Sequence, residues 1–368
     1  MNSFKMSNAV MFGVTLFLLG LMVGCGKQGG GRELCNVSYD PTRELYAEYN
    51  ELFIKHWQEK TGETINIDQS NGGSGSQSRS VINGKPTDVV TLALAFDIDD
   101  IAAEKDGRPG LLAADWQKRF PNNSCPYTST IVILVRKGNP KEIHNWEDLA
   151  KPGVQVITPD PKTSGGARWN YLAIWGYALD KALADKGGLS ALHNVESAVL
   201  EAAQKEAYLL TKAVFANAVS QGMASGARGA TDDFVKRGHG DAFLAWENEA
   251  ILARNINGND AFEIVYPTVS IKAEPPVAIV DSMVEQRGTR DIAEEYLSYL
   301  YESEAQEVIA KNNYRPCMPE VAEKYKDKFP EIKLFTIDDV FGGWLKTQRE
   351  HFNSDGIYDQ MIVEINHK

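Results

Sequence analysis

Three stretches of the sequence set small or hydroxyl-bearing residues where a strand gives way to a helix. They are "SYDPTRELY" at Asp40, "QSNGGSGSQSRSV" at Ser74 and "KTSGGARWNYL" at Ser164. Each turn offers backbone N–H groups that have no intrahelical acceptor, at the positive end of a helix dipole. That is chemistry for holding an anion. Glycine lets an anion approach the main chain closely, and serine adds a neutral hydroxyl donor. A single glycine turn before a helix is more often structural than ligand-binding. Three of them in one α/β chain carry more weight, because such turns gather at the carboxyl ends of parallel strands, where ligands bind. "SGARGATDDF" (Ser225 to Phe234) repeats the small-residue turn before a helix. "FLAWENEA" sets Trp246 just after a strand, where its indole N–H can donate, although core packing is the plainer reading. For Arg168 and Arg228 the plain reading is surface solvation, and bracing of the turn carbonyls is the other.

Reactive chemistry finds little support. There is no G-x-x-x-x-G-K-[ST] loop, and "NGGSGSQS" lacks the lysine that a nucleotide phosphate needs. The pattern G-x-S-x-G fails at Ser76, which leaves Ser74 without a nucleophile elbow. The six histidines (56, 144, 193, 239, 351 and 367) stand singly, with no metal-ligand spacing. The acidic pairs Asp99–Asp100, Asp232–Asp233 and Asp338–Asp339 read as solvated faces or helix starts, and nothing points to paired carboxylates for glycoside hydrolysis. The expectation is therefore a binding protein and not an enzyme, with no cofactor and no metal. The rival from another class is an exported hydrolase using Ser74 or Ser164, whose histidine base must come from elsewhere in the chain.

The elements that must position these turns belong to a chain of 368 residues, long enough for about two domains. Hydrophobic residues make up 43% and charged residues 24%, the balance of a soluble globular protein. A formal net charge of −12 argues against nucleic acid as partner and means that any anion is drawn by local dipoles against the global field. Residues 1–24 read as a secretory signal: Lys5, then the apolar run Ala9 to Gly24, too short for a comfortable membrane span. The run stops at Cys25 in "LMVGCGK", which resembles a bacterial lipoprotein box with Met22 where leucine is usual. Lipidation of Cys25 is favoured over simple cleavage, and residues 25–33 read as a flexible tether. Among Cys35, Cys125 and Cys317 one pair could form a disulfide; free buried thiols are the favoured reading.

Beyond the tether, a strand from Leu34 runs into a helix with Asp40 as N-cap, Pro41 at its first position and Gly62 at its end. Strand "TINIDQS", helix "SRSVING" and strand "DVVTLAL" follow, an alternation that predicts α/β with a largely parallel sheet. A helical run is expected from Ser190 to about Asn217. No repeat and no proline-rich linker divides the chain, so two domains would share crossing strands. "STIVILV" and "EPPVAIV" are the candidates.

Together, "NVSYDPTRELY", "DQSNGGSGSQ", "PDPKTSGGARWNYL", "SGARGAT", "AWENEA" and "FGGW" resemble the periplasmic sulfate-binding proteins that feed bacterial ABC importers, from about Leu34 to Gly356. The resemblance implies a type II periplasmic-binding-protein fold: two α/β lobes with a hinge and an interlobe ligand cleft. Lobe 1 would comprise 34–127 and 271–335, lobe 2 128–270, with a C-terminal helical segment at 336–368. It implies a dehydrated sulfate held only by neutral donors. These are the backbone N–H of Asp40, Ser74 in the G-G-S turn, the hydroxyl of Ser164, the N–H groups of Gly165, Gly166 and Ala227, and the indole of Trp246. It further implies an exported monomer, periplasmic or extracytoplasmic and anchored through Cys25, that delivers sulfate to a membrane permease with a cytoplasmic ATPase. Thiosulfate is the alternative ligand; Trp246 and Gly73 favour sulfate. Two features depart from the family: "QGMASGARG" lacks the usual acidic residue before the Ser-Gly, and the run from Ser190 is extended. A donor-only lining would also select. Monohydrogen phosphate carries a proton that needs an acceptor, and sulfate does not.

Overall fold

The structure, a computed structural model, describes residues 31–104, 107–256, 258 and 261–367. The signal segment 1–24, Cys25 and most of the tether lie outside the described residues. Two sheets organise the chain. In the first, β1 (Glu33–Tyr39) lies between β2 (Asn66–Gly72) and β3 (Val89–Thr91), all parallel, and β9 (Val277–Ile279) closes the edge antiparallel to β3. The second sheet is built on β4 (Tyr127–Arg136), with β5 (Val156–Ile157), β6 (Ala242–Trp246), β8 (Val269–Ala273) and β11 (Lys333–Phe335) in the order β11–β8–β4–β6–β5. β7 (Phe262–Val265) and β10 (Arg315–Pro316) also pair with β4. β4 runs antiparallel to β6, β7, β8 and β10, so this sheet is mixed and the expectation of a largely parallel one holds only for the first. The cause is direction of travel. β4 leaves the first sheet's side, and the strands beside it run back towards that side.

β4 reads as one apolar run because both of its faces are covered. Ile131, Ile133 and Val135 face one core while Val132 and Leu134 face another, and Tyr127 at its start packs in the core of Tyr46, Tyr49 and Tyr296 beneath the first sheet. It therefore crosses between the lobes, as does the segment Glu274–Pro276 from β8 into β9. β11, inside the 271–335 stretch expected with lobe 1, lies in the second sheet beside β8.

The helix Arg43–Thr61 buries Leu45, Tyr49, Phe53 and Trp57 and ends at Gly62 with φ 76°. Asp40 does not cap it. Asp40 instead opens a 3-10 turn, Asp40–Thr42, without a side-chain cap, and its carboxylate accepts from Arg43 at 3.3 Å. Pro41 fixes that tight first turn and delays the α-helix to Arg43. The helix Gly165–Ala182 is buried continuously from Gly165 to Leu179, being packed against the second sheet, the helix Ser197–Val219 and the C-terminal helices. The run expected from Ser190 begins as a 3-10 turn, Gly188–Ala191, and becomes α-helical at Ser197. Among the described residues no helix is long and apolar enough to cross a membrane.

Candidate functional site

Ser74 is the first residue of the helix Ser74–Ile82, which follows β2 through Gly73. The Gly73 carbonyl accepts the N–H groups of Ser76 and Gln77, both at 2.9 Å, so the N–H of Ser74 stands at the open end of the helix. Its hydroxyl is committed elsewhere: Oγ donates to Asp97 Oδ2 at 2.5 Å and accepts from the N–H of Ala93 at 3.0 Å. Ser74 can therefore offer a ligand its main chain, not its side chain.

Ser164 is the N-cap of the helix Gly165–Ala182, and its Oγ accepts from the Ala167 N–H at a long 3.4 Å. The hydroxyl proton remains to be given, beside the N–H groups of Gly165 and Gly166. Arg168 braces this turn. It is buried, donates to the Pro161 carbonyl and to Gln348 Oε1 (both 3.0 Å), and lies 3.8 Å from Asp97. Bracing of the turn carbonyls is thus its role, and surface solvation is not.

The last strand residue of β6 is Trp246, whose ring lies 5.3 Å from that of Tyr39. Its Nε1 is buried and has no hydrogen-bond partner among the described residues. Close by in sequence, Gly226 caps the short helix Ala227–Thr231 in extended conformation. Arg228 reaches across to Glu44 at 3.0 and 3.2 Å, and Asn248 Nδ2 reaches the Pro41 carbonyl at 3.3 Å.

The glycines show how tightly these turns converge. A Cβ on Gly166 would sit 2.9 Å from Trp246 Nε1 and 3.5 Å from Ser164 Oγ. One on Gly165 would sit 3.0 Å from the Ser74 Cβ, one on Gly226 3.3 Å from Asp40 Oδ2, and one on Gly73 3.1 Å from the Thr163 carbonyl oxygen. Asp40 and Ser74 thus come from the first lobe and Ser164, Gly165, Gly166, Ala227 and Trp246 from the second, and the fold draws them to one place between the lobes.

Charged groups stand behind this lining. Burial pushes the Asp97 carboxyl up, opposed by Arg168 and the Ser74 hydrogen bond. Burial pushes Glu249 up to about 7, opposed chiefly by Arg228 at 4.0 Å, while Thr231 Oγ1 donates to it at 3.0 Å. The sequence reading missed Asp97, Ala93, Glu44, Asn248 and Glu249 as participants. Asn248 and Glu249 lie inside "AWENEA" and were within reach; Asp97 and Ala93 carry no local signal. The Ser74 hydroxyl is not placed for nucleophilic attack. Ser74 Oγ is held by Asp97, and three histidines are engaged elsewhere: His56 with Glu295, His193 with the Asp339 carbonyl and His351 with Tyr171. What the arrangement can do is present main-chain, hydroxyl and indole donors to a small anion.

The chain is similar to known proteins along most of its length. The family described as "Bacterial extracellular solute-binding protein" matches residues 43–315. A sulfate-binding protein of Escherichia coli (strain K12) is 56% identical over 329 residues, covering 89% of this chain and 92% of that protein. A thiosulfate-binding protein of Pseudomonas aeruginosa is 43% identical over 351 residues, covering 95% and 98%. Among solved structures, the sulfate-binding protein SubI from Mycobacterium tuberculosis H37Rv superposes with a TM-score of 0.73 at 29% identity, covering 88% of this chain and 100% of that one.

Proposed function

We propose that this chain, which belongs to the family of bacterial extracellular solute-binding proteins, captures sulfate between its two lobes and delivers it to an ABC importer. The observation that carries the reading is the buried indole N–H of Trp246, without an acceptor among the described residues, beside Ser164 Oγ and the backbone of Gly166. A buried donor left unpaired costs about 1–3 kcal/mol. Other buried polar atoms also lack a partner, and this one is singled out by lying beside the Ser164 hydroxyl and the start of a helix. The donors named for the sulfate are the N–H groups of Asp40, Ser74, Gly165, Gly166 and Ala227, the Ser164 hydroxyl and the Trp246 indole. All are neutral. They disperse a dianion's charge without neutralising it, and the helix Gly165–Ala182 adds its dipole.

The protein performs no reaction in this reading. It is exported, anchored by lipidation at Cys25, acts as a monomer, and presents its loaded face to a membrane permease. Titration calorimetry on ligand-free protein tests the assignment. One sulfate per chain should bind with heat, and phosphate at the same concentration should not compete. Heat from thiosulfate with none from sulfate would move the protein to the thiosulfate-binding branch of the family.

A further inference from the structure

Glycine at the turns has so far been read as a way for an anion to reach the main chain. Two of these glycines also abut the opposite lobe. Gly73 has φ −60° and ψ 130°, a conformation open to any residue, and Gly165 is the first residue of a right-handed helix; neither has a positive φ. Conformational freedom therefore does not explain them. Space does. The missing Cβ of Gly165 would press on the Ser74 Cβ at 3.0 Å, the Ala93 Cβ at 3.2 Å and Leu94 Cγ at 3.2 Å, all in the first lobe. The missing Cβ of Gly73 would press on the Thr163 carbonyl oxygen at 3.1 Å, in the second lobe. Each contact crosses the cleft. That of Gly166, against Trp246 Nε1, stays inside the second lobe.

We propose that Gly73 and Gly165 are positioning residues for lobe closure, a pair of bare backbone contacts that let the two halves of the donor set meet around one anion. The inference rests on the sulfate reading above. Carbon atoms settle at about 3.5–4.0 Å, so the neighbours of a Cβ on Gly165 must give by a few tenths of an ångström, and those neighbours belong to the other lobe. The hydrogen bonds that span the cleft have no such slack. Trp169 Nε1 donates to the Ala93 carbonyl at 2.9 Å and Arg228 to Glu44 at 3.0 Å, and the same displacement stretches both to the long edge of good hydrogen-bond geometry. A methyl group at either glycine would thus weaken binding while leaving every donor in place.

Gly165→Ala and Gly73→Ala test this in the mature chain. Sulfate affinity by calorimetry should fall at least tenfold in both. In small-angle scattering the wild-type radius of gyration should shrink on adding sulfate, and those of the variants should not. Without sulfate, Gly165→Ala should melt at or above the wild-type temperature, because alanine suits a helix start and restricts the unfolded chain. Its sulfate-induced rise should be smaller than that of the wild type. Gly166→Ala is the contrast inside one lobe: it should alter Trp246 emission without any ligand, which Gly165→Ala should leave alone. Wild-type affinity and compaction in Gly165→Ala would overturn the proposal, as would a lower melting temperature without sulfate, which marks a packing role. Failure of the wild type itself to respond to sulfate would overturn the sulfate reading, and this one with it.

Discussion

Trp246 Nε1 lies 2.9 Å from the point that a Cβ on Gly166 would occupy, so the indole nitrogen packs directly against the start of the helix Gly165–Ala182. The tryptophan is 2% exposed, and its ring packs on Tyr39. Phenylalanine at 246 keeps an apolar ring there and removes the orphaned donor. Hydrogen bonds to charged groups contribute about 1.5–3 kcal/mol, so Trp246→Phe should weaken sulfate by about tenfold or more. Its melting temperature without ligand should change little. Calorimetry and a thermal melt read the two effects, and unchanged affinity would remove Trp246 from the donor set.

The two serines should separate by the same pair of measurements. Ser164→Ala removes a hydroxyl with a proton to give, and the cap bond lost with it is 3.4 Å long. Affinity should fall by about tenfold while stability drops by less than about 1 kcal/mol, the low side of the capping range. Ser74→Ala keeps the backbone N–H but strips Asp97 Oδ2 of its donor and Ala93 N–H of its acceptor, in a buried place. Stability should fall by about 1–3 kcal/mol, with only a few-fold change in affinity. The opposite pattern would make the Ser74 hydroxyl the ligand donor.

Arg168 and Asp97 are 3.8 Å apart across the cleft, with side chains 9% and 4% exposed. Removing one partner of such a pair strands the other charge in low dielectric, which costs about 3–5 kcal/mol. Arg168→Met should therefore destabilise strongly, since it also frees the Pro161 carbonyl and Gln348. Asp97→Asn should cost less, because an amide oxygen still accepts from Ser74. Chemical denaturation of the singles and the double completes the cycle, and strict additivity would mean that the two charges do not interact.

The turns are legible in the sequence because their chemistry is local. A Gly-Gly-Ser or Ser-Gly-Gly before a helix declares its N–H groups wherever the helix goes, and the apolar spacing of Leu45, Tyr49, Phe53 and Trp57 declares a buried face. What depends on distant partners is not. Asp40 looks like an N-cap until Pro41 tightens the turn into 3-10 geometry. β4 looks like one more strand of a parallel sheet until its neighbours are known to run against it. Arg168 looks like a surface charge because nothing near it in sequence reveals Asp97 or Gln348. Gly73 and Gly165 draw notice as turn glycines, but the atoms that crowd a Cβ there belong to the opposite lobe, which no local pattern reveals.

Glu249 gives the stability a pH dependence whose sign is fixed. Burial raises its folded pKa to about 7 from an ordinary 4.5, so between those values the folded chain holds a proton that the unfolded chain has released. Its contribution is complete below about pH 4.5 and is lost as pH climbs through 7. His351 pulls the other way. Burial lowers it from 6.5 to about 4, so between those values the unfolded chain holds the extra proton and stability rises with pH. The wild-type curve sums both, and the difference from Glu249→Gln isolates the carboxyl, because glutamine still accepts from Thr231 Oγ1. Relative to the wild type, the variant should gain stability as pH rises from about 5 to about 8. The gain should reach about 3 kcal/mol, since each pH unit between the two pKa values of Glu249 is worth about 1.4 kcal/mol. Urea midpoints across that range measure it. A flat difference would mean that Glu249 stays ionised in the folded protein throughout, held so by Arg228.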